Sequence, residues 1–413
     1  MSQQNPHNPQ EARQKNLHHL LLWKHRDHFP VLADYAYLNF GAQGLLPRDV
    51  TAAVSRSFEH MLHKPPFTAE GMAWARTELA ETRAAIASSL GARAQDIALT
   101  ESTSMGCDIV LWGFPWKPGD RLLLSDSEYS SLIATVQILA ERFHLAVDYF
   151  PTSHDTRETM DAFVKALRPE TRMAVVSHVC WNTGRVLPIG EMAAHCRQCS
   201  GPRPKILVDG AQSVGVLPID LNALAVDFYA FTGHKWLCGP EGLGALFIHP
   251  ESFDSLSPTY LGPRSLDYGA NKLSKGFHED ARRFELSTTS IPLHAGLRAA
   301  LALHKQWAPA EARYRRIRTL SQRLWEGLQQ LPKTDWRCFH PKPPDAGIVF
   351  FKSEHGSPKD WSHALEEHRT LLRWIPGRVG GLGEDSLRAS IHYFTSEEEI
   401  DRLLAKLAKL KIG

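Results

Sequence analysis

Residues 205–248, KILVDGAQSVGVLPIDLNALAVDFYAFTGHKWLCGPEGLGALFI, hold the side chains with the most chemical potential in this chain. Asp209 ends one apolar, strand-like run, and Lys235 stands just past the end of the next. Apolar runs separated by a turn and a helical spacer are the pattern of neighbouring strands in a buried parallel sheet. In such a sheet the ligand crevice lies beyond the carboxyl ends of the strands, so the amine and the carboxylate would face one ligand. Pyridoxal phosphate requires that pair. A lysine links covalently to its aldehyde, and an acid keeps the pyridine nitrogen protonated so that the ring withdraws electrons.

An isolated aspartate is most often a helix cap, and an isolated lysine is most often solvated. Lys235 instead sits in the string Tyr229-Ala230-Phe231-Thr232-Gly233-His234-Lys235-Trp236, with Gly239-Pro240, Gly242 and Gly244 following. A cation in so apolar and aromatic a setting is costly unless it is covalently used or paired. Buried ionisable groups of this kind mark functional sites.

DGAQS followed by AFTGHKW and a Gly-Pro-x-Gly turn resembles the class V, fold-type I pyridoxal-phosphate enzymes, a family that includes cysteine desulfurases and related lyases. The likeness runs from about residue 36 to 399. YLNFGAQGLLP (37–47), GCDIVLWG (106–113), SHVCWNTGRVLPI (177–189), RRFELSTTSIP (282–292) and LRASIHYFTSEEEI (387–400) are most similar to one branch, the L-cysteine/L-cystine C–S lyases. The resemblance implies an α/β fold of type I. Its large domain, residues 31–290, would hold a mainly parallel seven-stranded sheet flanked by helices, and residues 1–30 and 291–413 would form a smaller α+β domain.

The same resemblance assigns roles. Lys235 is the covalent lysine and, once displaced by substrate, the base for the Cα proton. Asp209 would pair with the pyridinium nitrogen, holding its proton at neutral pH, and Gln212 resembles the residue that hydrogen-bonds the phenolate oxygen. A phosphate needs helix N-terminal amides and hydroxyls. Ser102-Thr103-Ser104-Met105-Gly106 supplies both, although such clusters are often plain N-caps. Thr103 and Ser104 match the phosphate grip of the family, assisted by Thr232 and His234. Thr288, in FELST, resembles a residue that reaches the phosphate of a neighbouring subunit, which implies a homodimer with shared active sites. Asn182 would lie near both cofactor and substrate carboxylate, and Gly41, Ala42 and Gln43 would line the entrance.

Tyr129, in DSEYSSLIA, stands where family members usually carry a histidine stacked on the cofactor ring. A tyrosine can stack as well, but it gives up a proton near neutral pH less readily than imidazole. Arg388, in SLRAS, matches the arginine that takes the substrate α-carboxylate through a bidentate fork. Arg373, in LLRWI, resembles a second arginine of the lyase branch, placed for the far end of a longer substrate such as cystine. Most arginines are simply exposed, so a surface role stands beside that one.

A desulfurase needs a nucleophilic thiol on the loop before the carboxylate arginine. Residues 374–387 contain no cysteine, and Cys338 lies in another segment. Without an acceptor thiol, a carbanion beside the cofactor can still expel a β-sulfur, leaving aminoacrylate that hydrolyses to pyruvate and ammonia. From cystine the leaving group is cysteine persulfide, favoured by its low thiolate pKa. The expected activity is β-elimination on L-cystine, L-cysteine or a related S-substituted cysteine. A class V aminotransferase or epimerase uses the same Lys and Asp and stays open as the alternative. A catalytically silent binding protein on this fold is disfavoured by the joint presence of Asp209, Lys235 and Arg388. The glycine-rich 376–383 stretch is longer than the lyase branch implies and would reshape the entrance.

The elements that must hold these groups can be read from periodicity. Strands are expected over 97–99, 121–125, 146–150, 173–179, 205–208, 228–231 and 244–248, and helices over 68–90, 131–143, 160–167 and 189–199. This alternation implies a mainly parallel sheet covered on both faces. After Pro292 the texture changes to long amphipathic helices over 295–306 and 310–331 and strands over 347–351 and 386–391. A last helix spans 396–410, where Ser396 and Glu399 match a capping box. A short helix is expected over 17–23 and mobile residues over the first ten. No internal repeat or low-complexity tract interrupts the pattern.

Composition sets the partner class. In 413 residues, 47 Lys and Arg nearly cancel 45 Asp and Glu, so no global field favours nucleic acid or an anionic membrane, and a small amino-acid substrate is the better partner. Hydrophobic content of 43% supports a large core. No apolar run approaches a membrane span, and the polar start lacks the order of a signal peptide, which points to the cytoplasm. Six scattered cysteines suit reduced thiols. Cys196-x-x-Cys199, with His195, lacks the second pair that a zinc site needs, and the 21 histidines form no ligand pair with a nearby carboxylate; no metal is expected.

Overall fold

The computed structural model describes residue 22 and residues 24–199, 202–268, 274–377 and 383–410. The first ten residues, and all but Leu22 of the helix expected over 17–23, lie outside the described residues; Leu22 itself is helical and buried.

Seven strands form the main sheet: β1 (Ile97–Thr100), β2 (Arg121–Ser125), β3 (Ala146–Phe150), β4 (Thr171–Ser177), β5 (Lys205–Asp209), β6 (Phe228–Thr232) and β7 (Gly244–Ile248). Their spatial order is β1-β7-β6-β5-β4-β2-β3. Strand β7 is antiparallel to both neighbours and the other pairs are parallel. Strands β6 and β7 are buried at every position because helices cover both faces, which is why they read as continuous apolar runs.

The helices in this part are α1 (Arg48–His63), α2 (Ala69–Leu90), α3 (Thr103–Gly113), α4 (Ser130–Phe143), α5 (Thr156–Ala166), α6 (Ile189–Gln198) and α7 (Ile291–Trp307). Leu90, Phe163, Met192 and Leu297 from α2, α5, α6 and α7 pack with Ile206 and Val208 on one face of the sheet. Val110 and Val136 from α3 and α4 pack with Leu207 on the other. The period-two alternation of β5 thus feeds two cores. Helix α3 can approach β6 because Gly106 has no side chain; a Cβ there would stand 2.8 Å from Ala230 Cβ.

A smaller antiparallel sheet has the order β8-β9-β11-β10, built from β8 (Trp336–Cys338), β9 (Ile348–Ser353), β10 (Arg373–Ile375) and β11 (Ser386–Ser390). Helices α8 (Ala310–Gln330), α9 (Pro358–Glu367) and α10 (Glu397–Lys409) accompany it. The capping box at Ser396 and Glu399 is present, and Glu399 also pairs with Arg26 at 2.7 Å. A two-residue strand at Ala36–Tyr37 runs parallel to Thr370–Leu371 as a separate two-stranded sheet, and the Asn39–Ser390 bridge stitches the N-terminal segment to β11. Helix α7 serves both parts: Leu297 and Leu301 enter the main core, whereas Leu303 joins Tyr393 and Phe394.

Several expected boundaries shift, among them the helix expected over 295–306, which begins at Ile291 with Pro292 in its first turn. The strand expected over 173–179 starts at Thr171 and stops at Ser177: the His178 amide makes the last bond to β5, on Asp209 O, and the His178 carbonyl accepts the Leu187 amide instead. The helix expected over 160–167 begins a turn earlier, where the Asp155 carboxylate accepts the Arg157 and Glu158 amides. No helix among the described residues is long and apolar enough to cross a membrane.

Candidate active site

Asp209, Thr232 and Ser177 are the last residues of β5, β6 and β4, and Ser177 and Ala230 are the register partners of Asp209. The side chains beyond these strand ends surround a cavity of about 330 Å³. Its walls include Lys235, Asp209, Gln212, Thr103, Ser104, Tyr129, Thr232, His234, Arg388, Arg373, Ala42 and Gly41. Asn182, Gln43 and Thr288 stand outside that lining. Asn182 is buried directly after the lining residue Trp181, the Gln43 carbonyl accepts the Tyr37 hydroxyl at 2.7 Å, and Thr288 is exposed.

Lys235 is held by its backbone. Its carbonyl accepts the Cys238 amide at 3.0 Å, and the preceding His234 carbonyl accepts the Gly44 amide at 2.7 Å. A Cβ on Gly44 would lie 2.1 Å from Lys235 O, so only glycine permits this approach. Burial brings the Lys235 amine down to about 8, opposed by Asp209 and reinforced by Arg388 and Arg373. Burial pushes the Asp209 carboxyl up, while the Ala211 amide, donating to Oδ1 at 2.8 Å, and the Lys235 charge draw it down. Beneath the pair, His178 Nδ1 meets Tyr229 Oη at 2.9 Å, and Tyr229 Oη meets Ser213 Oγ at 2.5 Å. That buried file of polar groups fixes the floor of the site.

Gln212 is orientated from both ends. Its Nε2 donates to Gly41 O and its Oε1 accepts Trp236 Nε1, each at 2.8 Å, which leaves the second Nε2 proton free to donate. At the opening of α3, Ser102 is the N-cap, with its hydroxyl accepting the Met105 amide at 3.1 Å. Thr103 Oγ1, next in line, is buried without a hydrogen-bond partner, as are Asn182 Oδ1 and Arg388 Nε. Thr232 Oγ1 and His234 Nδ1 lie 2.7 Å apart on the neighbouring strand end. A helix N-terminus, an unsatisfied hydroxyl and a Thr–His pair form an anion cradle. These groups fit the phosphate of pyridoxal phosphate, and the Lys235–Asp209 pair fits its aldehyde and ring nitrogen.

Across the cavity, β10 and β11 place Arg373 directly opposite Arg388 in register. Arg388 is buried and donates to Trp181 O at 3.3 Å. Burial, and then the Arg373 charge, work against the Arg388 cation, a penalty that an incoming carboxylate would relieve. Tyr129 is 44% exposed, with its ring edge-on to Trp181 at 5.4 Å and 88° and its centroid 6.0 Å from Lys235 Nζ.

Sequence reasoning passed over Trp181 and Glu128. Trp181 lies inside the SHVCWN motif, directly before Asn182, and its indole donates to Glu128 O at 3.3 Å. The Glu128 carboxylate accepts Ser125 Oγ, Ser177 N and Ser177 Oγ, and burial raises it to about 7. It anchors the turn that carries Tyr129. All six cysteines are free, and none of them lines the cavity. The loop over 374–387 is described only at 374–377 and 383–387, so part of the expected glycine-rich stretch lies outside the described residues.

The sequence profile of the class-V aminotransferases matches residues 36–403. A probable cysteine desulfurase of Pyrococcus abyssi is 26% identical over 397 residues, covering 93% of this chain and 96% of that protein. The isopenicillin N epimerase of Streptomyces clavuligerus is 29% identical over 393 residues, covering 90% and 94%. Among solved structures, the cystine C–S lyase C-DES in complex with its reaction product cysteine persulfide superposes with a TM-score of 0.88 at 40% identity, covering 93% of this chain and all of that one. A C-DES variant with glycine covalently linked to the pyridoxal-phosphate cofactor matches equally well, covering 94% and 99%. The chain therefore belongs to the class-V aminotransferase family of pyridoxal-phosphate-dependent enzymes.

Proposed function

We propose that this protein is a pyridoxal-phosphate-dependent C–S lyase that carries out β-elimination on L-cystine, L-cysteine or a related S-substituted cysteine. Pyruvate, ammonia and a persulfide, sulfide or thiol would be its products. One observation carries the reading: Lys235 and Asp209 face a cavity whose opposite wall presents Arg388 and Arg373, and no cysteine lines it. The similarity to the cystine lyase C-DES supports it from outside.

When bound, the cofactor supplies an electron sink for the charge left at Cα. Asp209 would keep the ring nitrogen protonated, Gln212 would donate to the ring oxygen, and Thr103, Ser104, Thr232 and His234 would hold the phosphate. Tyr129 would pack against the ring, with Trp181 edge-on to Tyr129. Arg388 takes the substrate α-carboxylate, with Asn182 beside it, and so turns the Cα–H bond toward Lys235 Nζ. A neutral amine at Nζ accepts that proton, and an amine brought down to about 8 is available for this near neutral pH. Arg373 takes the distal carboxylate of cystine. Ala42, Gly41 and Gln43 form the entrance. Persulfide transfer to the protein itself is disfavoured, because Cys338, the thiol nearest to qualifying, donates to Phe350 O and is pushed up to about 11 by burial.

A homodimer and a cytoplasmic setting complete the proposal. Thr288 is exposed, as a residue reaching into a second subunit must be, and α1 presents Phe58 and Leu62 to solvent at 54% and 74% exposure. Six free thiols suit a reducing compartment. The deciding experiment incubates the holoenzyme with cystine, cysteine and S-substituted cysteines without keto acid, reading pyruvate together with sulfide and persulfide. Stoichiometric pyruvate supports the lyase. Turnover that demands a keto acid, or inversion at Cα without sulfur release, would replace it with the transaminase or epimerase reading.

A further inference from the structure

Behind the Lys235 turn lies a buried group of Cys238, His304 and His392, whose sulfur and ring nitrogens fall within 4.8 Å of one another. The spacing would suit a metal ion, but a metal needs an imidazole lone pair from each histidine. His392 Nε2 donates to Trp236 O at 2.8 Å, and its Nδ1 accepts the Tyr393 amide at 3.0 Å. His304 Nε2 donates to Leu237 O at 2.8 Å, leaving Nδ1 to accept from Tyr393 Oη at 2.8 Å. Tyr393 Oη in turn accepts from His25 Nε2 at 2.9 Å. Carbonyls can only accept, so these contacts fix every proton in the chain, and both lone pairs are already used. The group is a hydrogen-bond clamp.

What it grips is the backbone immediately after the lysine. Consecutive carbonyls, Trp236 O and Leu237 O, are each taken by one histidine, one from the segment after β11 and one from α7. The turn they hold ends at Cys238 in the left-handed region, φ 54°, a conformation unfavourable for a non-glycine residue that persists only where surroundings impose it. The rings pack face to face at 5.7 Å and 23°, and Phe40, Trp236 and Phe394 surround His392.

We infer that His304 and His392 are positioning residues that hold the Lys235 turn through its Trp236 and Leu237 carbonyls, tying the lysine to α7, to the small sheet and to the N-terminal segment. The inference rests on the assignment of Lys235 as the cofactor lysine and deepens it. Both histidines act as neutral imidazoles, because a proton on His392 Nδ1 would face the Tyr393 amide. His25, Tyr393, Cys238 and Arg313 are the other titratable groups placed around them.

The test compares His392→Gln with His392→Phe, and His304→Gln with His304→Phe. Glutamine keeps a donor where Nε2 stood, whereas phenylalanine keeps only ring shape. Deuterium exchange of the amides at 236–239 is measured in the cofactor-free chain, and the rate of covalent cofactor attachment is measured beside it. The phenylalanine variants are expected to exchange about 10-fold faster at 236–239, with protection in the main sheet unchanged, and to attach cofactor more slowly. The glutamine variants are expected within about threefold of the parent in both readouts. Unchanged exchange at 236–239 in the phenylalanine variants, or equal damage from glutamine and phenylalanine, overturns the inference. A Lys235→Ala control separates the two layers: cofactor attached covalently to that variant would defeat the lysine assignment, while the exchange result would still judge the clamp.

Discussion

Burial lowers the Lys235 amine to about 8, and a neutral amine is the form that attacks an aldehyde and accepts a proton. Attachment of pyridoxal phosphate to the cofactor-free protein should therefore accelerate with rising pH and level off above about 8, as stopped-flow absorbance would follow. A midpoint above 10, the ordinary lysine value, would remove the desolvated setting from the explanation. The two arginines should separate by kinetics. Arg388→Ala is expected to raise KM about 10²-fold or more for every substrate, since it removes a buried charged partner of the α-carboxylate. Arg373→Ala should raise KM for cystine about 10-fold and leave S-methylcysteine nearly unaffected; equal effects on both substrates would reassign Arg373. Lys235 and Asp209 could be read from sequence because each is a charge at the end of an apolar run, whereas Arg388 is reached only through the family resemblance. Trp181 could not be read in this way. A tryptophan beside buried Val179 and Cys180 looks like core, and only the folded chain shows its edge against Tyr129.

Strands were legible where a bounded apolar run marks burial in the sheet. The runs 121–125, 146–150 and 244–248 coincide with β2, β3 and β7, whose residues fill one or both cores. Helix α1 was missed although Val50, Val54, Phe58 and Leu62 recur at helical spacing; that stripe is only partly turned inward, with Val50 and Ala53 buried and Phe58, Met61 and Leu62 exposed. The pairing of Ala36–Tyr37 with Thr370–Leu371 is likewise silent, since two-residue strands carry no period. The capping box at α10 was read, but not its second use. The Glu399 carboxylate takes the Ser396 amide and also the Arg26 guanidinium, with side-chain exposures of 1% and 5% for the ion pair. Glu399→Ala would remove the carboxylate partner of buried Arg26, whose guanidinium also donates to the Phe394 and Leu32 carbonyls, and would break one arm of the capping box. It should cost about 3–5 kcal/mol by urea denaturation. A loss of about 1 kcal/mol would reduce Glu399 to an ordinary cap.

Six histidines are buried among the described residues: His25, His178, His294, His304, His340 and His392. Burial lowers His25, His294, His304 and His340 to about 3 and His178 to about 4, and holds His392 well below its usual range. In the unfolded chain each would titrate near 6.5. Below that pH the unfolded state takes up protons that the folded state refuses, so stability is fully present above about 6.5 and is lost as pH falls toward the folded values. Glu128, raised to about 7, and Asp209, also raised, act in the opposite sense, because the folded state keeps protons there that the unfolded state has released. Six histidines set against Glu128 alone leave about five protons, or about 7 kcal/mol per pH unit once the histidines are fully charged in the unfolded chain. With a total stability on the order of 5–15 kcal/mol, the fold should collapse within one to three pH units below neutrality. Urea midpoints at pH 7.5, 6.5 and 5.5 should fall at an increasing rate, and His294→Gln, which lies outside the cofactor cavity, should reduce the acid-side slope by about 1.4 kcal/mol per pH unit. A midpoint that stays flat to pH 5 would mean that the buried imidazoles are solvated or paired on acidification, and the linkage argument would fail with them.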